Sequence, residues 1–90
     1  MATSESGKAL VRVEGQNALL VERLRDPLHR ALGGRRTFYV VKVDSMGRVG
    51  EILLSIRGAR GHLPLLLREE DLEPGYVASV VKATVDRFGL

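Results

Sequence analysis

Two runs in the middle of the chain, 37–44 (TFYVVKVD) and 49–57 (VGEILLSIR), restrict the fold more than any other feature. Both are rich in β-branched and aromatic residues, which favour strands. The SMGR segment between them holds Gly47, a residue able to take positive φ in a hairpin turn. Apolar side chains occur at positions of both parities in these runs. Successive side chains of a strand point to opposite faces, so a sheet built on this hairpin is apolar on two sides. One side needs a layer of helices, and the other needs a partner.

The flanking sequence supplies the helices. Residues 18–34 place Leu20, Leu24, Leu28 and Ala31 or Leu32 at helical spacing, with Asn17 as a cap and Gly33-Gly34 as a stop. Asp26-Pro27 interrupts this run, which is compatible with one kinked helix or with two short ones, the second capped by Asp26. Residues 76–90 give a second helix with Val77, Val80, Val81, Thr84 and Phe88 on one stripe, ended by Gly89. Carboxylates at Glu69, Glu70, Asp71 and Glu73 precede it, where they complement the helix dipole.

Two further strands complete the pattern. In 8–14 (KALVRVE), Ala9, Val11 and Val13 alternate against Leu10, Arg12 and Glu14, and Gly15 breaks the run. In 62–69 (HLPLLLRE), Pro64 lacks an amide hydrogen, which assigns this strand to a sheet edge or a bulge. The expected fold is therefore a two-layer α+β domain, β-α-β-β-β-α. It has an antiparallel sheet of about four strands and helices on one face. Residues 1–7 are read as a disordered polar tail, and 8–90 as a single domain. Tyr39, Val41, Val43, Ile52, Leu54, Ile56, Leu63, Leu65 and Leu67 form the face under the helices. The opposite face carries Phe38, Val40, Leu53 and Leu66, flanked by Lys42, Arg57 and Arg68, and these four apolar residues are the expected oligomer interface.

Composition narrows the function classes. A chain of 90 residues without cysteine has one modest core and no disulfide or thiolate site to supplement it. Oligomerisation is the obvious supplement. The net charge of +3 is carried mainly by arginine, which can fork onto phosphate. His29 and His62 have no carboxylate at a metal-ligand spacing, and no nucleophile or phosphate-loop motif is present, so no metal, no cofactor and no enzymatic activity are expected. No apolar run approaches the ~20 residues that span a bilayer, and the first residues lack the basic and apolar sections of a signal peptide. A cytoplasmic location is expected.

Binding is the remaining class. Single-strand recognition needs flat apolar or aromatic surfaces beside a basic track. Phe38 and Tyr39 lie next to Arg35, Arg36 and Lys42 in sequence, and Arg57, Arg60 and His62 cluster around the RGARGH hairpin. These eight residues are the candidate nucleic-acid contacts. With only two phenylalanines and two tyrosines in the chain, one copy has little stacking capacity, so several copies are expected to build the channel.

A small, basic, cysteine-free chain with a helix-backed sheet, and with Phe38, Val40, Leu53 and flanking arginines on the second face, resembles the ThermoDBP-related single-stranded DNA-binding proteins of thermophilic archaea. The resemblance spans about residues 8–90 and is one of size and pattern. It implies sequence-tolerant binding of single-stranded DNA by an oligomer. The expected partners are single-stranded DNA, with RNA as the alternative, and further copies of the chain in a dimer or tetramer. The element order is also similar to double-stranded RNA-binding and signal-recognition-particle Alu domains, but the acidic EEDLEPG segment stands where the former have a basic motif. The plan is shared as well by the Pcc-type dimerising subunit of the KEOPS complex. That second resemblance implies a non-catalytic assembly subunit without a nucleic-acid groove.

Overall fold

The computed structural model describes residues 11–35, 37–45 and 49–90. Its elements follow the expected order: β1 (Val11–Gly15), α1 (Ala18–Leu32), β2 (Tyr39–Ser45), β3 (Glu51–Gly58), β4 (Gly61–Arg68) and α2 (Pro74–Arg87), with a 3-10 turn at Glu69–Asp71. The class is α+β. The four strands lie in the order β1-β2-β3-β4, and the sheet is mixed rather than wholly antiparallel. β2 runs parallel to β1, pairing Val11 with Tyr39 and Val13 with Val41, whereas β2–β3 and β3–β4 are antiparallel. The physical reason is α1, a crossover helix that carries the chain back to the start of the sheet and so returns β2 in the same direction.

Local chemistry sets the helix ends. The Asn17 side-chain oxygen accepts from the amides of Leu19 and Leu20 at 3.1 and 3.2 Å, starting α1. The Gly33 amide donates to the His29 carbonyl at 2.7 Å at the other end. Glu73 plays the Asn17 role for α2, accepting from Gly75 and Tyr76, and Pro74 occupies the first turn, where a missing amide hydrogen costs nothing. α1 is one continuous helix with Pro27 inside it, which decides between the two alternatives. Pro27 cannot donate to Arg23, and Arg23 lies on the exposed side, where water can take the released carbonyl.

Both helices cover one face of the sheet and pack against each other. From the sheet, Tyr39, Val41, Val43, Ile52, Leu54 and Ile56 are all buried, and Leu63 and Leu67 join them from β4. Leu65 is only partly covered, because β4 lies at the sheet edge, where Pro64 is expected. The helices contribute Leu24, Leu28 and Leu32 from α1 and Val77, Val81 and Val85 from α2, each fully buried. Phe88 departs from the expected stripe. α2 ends at Arg87, and the Phe88 ring is exposed with the Arg87 guanidinium 5.9 Å from its centroid. No helix among the described residues is long and apolar enough to cross a membrane.

Proline inside a helix is about 3 kcal/mol less favourable than alanine. Burying two extra ring methylenes returns about 1.6 kcal/mol of that. Pro27→Ala should therefore stabilise the domain by about 1 kcal/mol, read as a higher urea midpoint at unchanged slope; a lower midpoint would mean that the ring's packing outweighs the missing hydrogen bond.

Candidate functional site

The face of the sheet away from the helices carries the even-numbered residues of β1, β2 and β4 and the odd-numbered residues of β3. Register sorts them into rows that run across the strands. The first row is Arg12, Val40, Arg57 and His62. The second is Glu14, Lys42, Ser55 and Pro64. The third is Asp44, Leu53 and Leu66, and the last is Glu51 with Arg68. A groove of about 290 Å³ lies over the first two rows, lined by Glu14, Val40, Lys42, Ser55, Arg57 and His62. Among the described residues, neither Lys42 nor Arg57 makes an ion pair.

This register breaks the expected apolar strip into two pieces. Val40 pairs with Arg57, four positions along β3 from Leu53, so about 13 Å separates the two levels at a rise of about 3.3 Å per residue. Phe38, 49% exposed, precedes β2 and shares the parity of Val40 and Lys42, which sets it at the basic end. Leu66, 54% exposed, pairs with Leu53 at the other end. The row of Lys42, Ser55 and Pro64 lies between the two pieces.

The eight candidate contact residues are likewise divided. Lys42, Arg57 and His62 come together in the groove, and Phe38 is not among its lining residues. Tyr39 does not belong with them. It is 1% exposed on the helix-covered face, and its hydroxyl donates to the Leu90 carbonyl oxygen at 2.8 Å. Strand alternation dictates this, since Tyr39 has the parity of Val41 and Val43. A stacking role is corrected to a core role. Gly58 makes room for the ring: a Cβ there would come within 3.1 Å of the Tyr39 Cε1 atom and 3.6 Å of the Leu90 carbonyl oxygen.

Arg35 is also engaged elsewhere. Its guanidinium bonds Asp86 of α2 at 2.5 Å, and its side chain is 26% exposed. The hydrogen bond to Asp86 raises the Arg35 pKa above its ordinary value, outweighing the partial burial that lowers it. The charge is retained and already paired. Arg60, in the β3–β4 turn, lines a depression with Arg35, Thr37 and Asp86 at the end of the sheet, apart from the groove. Arg36 lies outside the described residues.

Sequence reading missed Arg12 as a member of the basic row. Its position depends on β1 pairing with β2, which no local signal encodes. Arg12 lies 3.4 Å from Glu14 on the same strand, both well exposed. A larger depression of about 530 Å³ at the far end is lined, among the described residues, by Glu51, Glu69 and Glu70 against the single cation Arg68. Among the described residues no group of three or more His, Cys, Asp or Glu could hold a metal ion.

No family model matches this sequence, and no curated protein and no solved structure matches it significantly. Geometry and charge alone therefore bear on what the face binds.

Tyr39→Phe removes one hydrogen bond from the buried ring, leaving the ring itself in place. It should cost about 1 kcal/mol in chemical denaturation and leave affinity for oligo-dT unchanged. A drop in affinity without a drop in stability would return Tyr39 to the contact surface.

Proposed function

We propose that the protein is a non-catalytic binding module that takes single-stranded nucleic acid, DNA ahead of RNA, on the open face of its sheet, with several copies forming the full channel. The observation that carries this reading is the groove itself. Lys42, Arg57 and His62, from three different strands, converge around Val40, and the half-exposed Phe38 precedes the strand that carries Val40 and Lys42. The charges of Lys42 and Arg57, with the His62 imidazole beside them on a flat, partly apolar surface, suit a backbone that carries a charge at every step and bases that seek a planar contact. The contact set is Phe38, Lys42, Arg57 and His62. Arg60 at the neighbouring turn adds to the field, and Arg35 acts in holding α2 to the sheet.

The competing reading is an assembly subunit whose open face is covered by protein. It draws on the Leu53–Leu66 pair, the first partly covered and the second exposed, an apolar pair far from the basic end. The two ends permit both, because a copy seated on Leu53 and Leu66 leaves the groove uncovered.

Fluorescence anisotropy with labelled oligo-dT, a matching RNA and a duplex tests the reading. Oligo-dT should bind, with affinity falling as salt rises. Two or three phosphate contacts per copy give a log–log slope of about −1.4 to −2.1, at about −0.7 per contact on single strands. Phe38→Ala should weaken binding by about 1–3 kcal/mol, the range for one lost stack, without shifting the thermal midpoint. If no probe binds at low salt, or if Phe38→Ala changes only stability or oligomer order, the groove is not a nucleic-acid site. If Leu66→Glu then converts an oligomer to a monomer, the assembly reading takes its place.

A further inference from the structure

The open face has four rows, and they differ in sign. Glu14 lies in the second, Asp44 in the third and Glu51 in the fourth. The first row, Arg12–Val40–Arg57–His62, is the one without a carboxylate among the described residues. From it we infer that a bound strand crosses the β-strands along this row, from β1 to β4, rather than following any one of them, and that Arg12 is a contact residue whose pairing with Glu14 restrains affinity. The inference rests on the nucleic-acid reading of the groove and adds a direction to it.

The alternatives are set by the sheet. A polyanion leaving the first row along β1 meets Glu14 two residues on. Along β2 it passes Lys42 and then meets Asp44, and along β3 it ends at Glu51. Along β4 it passes Pro64 and Leu66 and reaches Arg68, which stands 3.7 Å from Glu70. Each lengthwise route therefore runs into a carboxylate, whereas the crosswise row has one beside it only at its β1 end, Glu14 against Arg12; like charges at short range are unfavourable. The crosswise route spans three strand spacings, about 14 Å at about 4.8 Å each, enough for a short run of nucleotides. Arg57 stands within it and the cationic Arg12 at its β1 end. Phe38 precedes β2, two residues before Val40 and on the side away from Lys42 in sequence, and is half-exposed. Its ring is, among the described residues, the one aromatic surface offered to a base near this end of the row.

Arg12 and Glu14 are both exposed, and an ion pair between exposed groups is weak enough for a phosphate to displace it. Glu14 then remains as an uncompensated negative charge lining the groove.

Three variants of the full chain, titrated with labelled oligo-dT at several salt concentrations, test the direction. Arg12→Ala should weaken binding by about three- to tenfold, the loss of one exposed contact worth about an ordinary hydrogen bond. It should also flatten the salt slope by about 0.7. The same loss is expected when Glu14→Gln is already present, which separates the missing arginine from an unmasked glutamate. Glu14→Gln alone should tighten binding, a gain that damage to the fold cannot produce. Arg68→Ala should leave affinity unchanged. If Arg68→Ala weakens binding and Arg12→Ala does not, the strand runs along β4 and the crosswise path is overturned, while the nucleic-acid reading stands. Unchanged or weaker binding by Glu14→Gln overturns the restraint assigned to Glu14. If the unaltered protein binds no oligonucleotide, the reading of the groove fails first and the path with it.

Discussion

Everything on the open face depends on how β2 is held. Tyr39, Val41 and Val43 are almost completely buried against the helices, and β2 is paired on both sides, to β1 and to β3. Sliding this strand by one residue would put Lys42 into the core and three apolar side chains into water, at about 1.5–3 kcal/mol for each large side chain exposed. Burying an unpaired ammonium would cost more still. The core face therefore fixes the register, and the register fixes which charges meet on the far side. Val40 lies between Arg12 and Arg57 because its neighbours in sequence belong to the interior.

The end of the sheet near Tyr39 is closed by the last residues of the chain. Arg35 reaches Asp86, the Tyr39 hydroxyl reaches Leu90, and the Leu90 amide bonds the Val85 carbonyl. The first two of these bonds join segments about fifty residues apart, and they draw an arginine and an aromatic ring away from any ligand. What remains for binding is smaller than the list of basic and aromatic residues suggests, and it is concentrated at one place.

Much of this fold is legible from short-range chemistry. Alternation in 37–44 and 49–57 sorts the two faces, Asn17 marks the start of a helix, and Pro64 belongs on an edge strand. These are local rules, each carried by one residue or by a period of two. The candidate site is less legible, because it depends on relations between strands. Nothing within β2 or β3 says that Val40 aligns with Arg57 rather than with Leu53; the offset comes from the length of the connection at 46–50. The parallel pairing of β1 is equally silent, and with it the place of Arg12. Arg35 reads as a free cation only while its partner on α2 is out of view. Tyr39 is the opposite case, since its parity with Val41 and Val43 already assigns it to the interior.

The mixed sheet has a kinetic consequence. β3 and β4 are joined through the tight Gly58–Gly61 hairpin, and β2 and β3 through a short connection, so these three strands can meet at little cost in chain entropy. β1 reaches β2 only after the whole of α1 has been laid across the sheet, a longer closure for a strand of five residues at the rim. The antiparallel strands are the natural nucleus, and β1 is the natural late arrival. Arg57 and His62 then face each other early, while Arg12 joins them only when the rim strand docks. Assembly of the positive row is thus coupled to the last step of folding, and loosening of β1 removes one end of that row together with Val11, the buried residue β1 gives to the core.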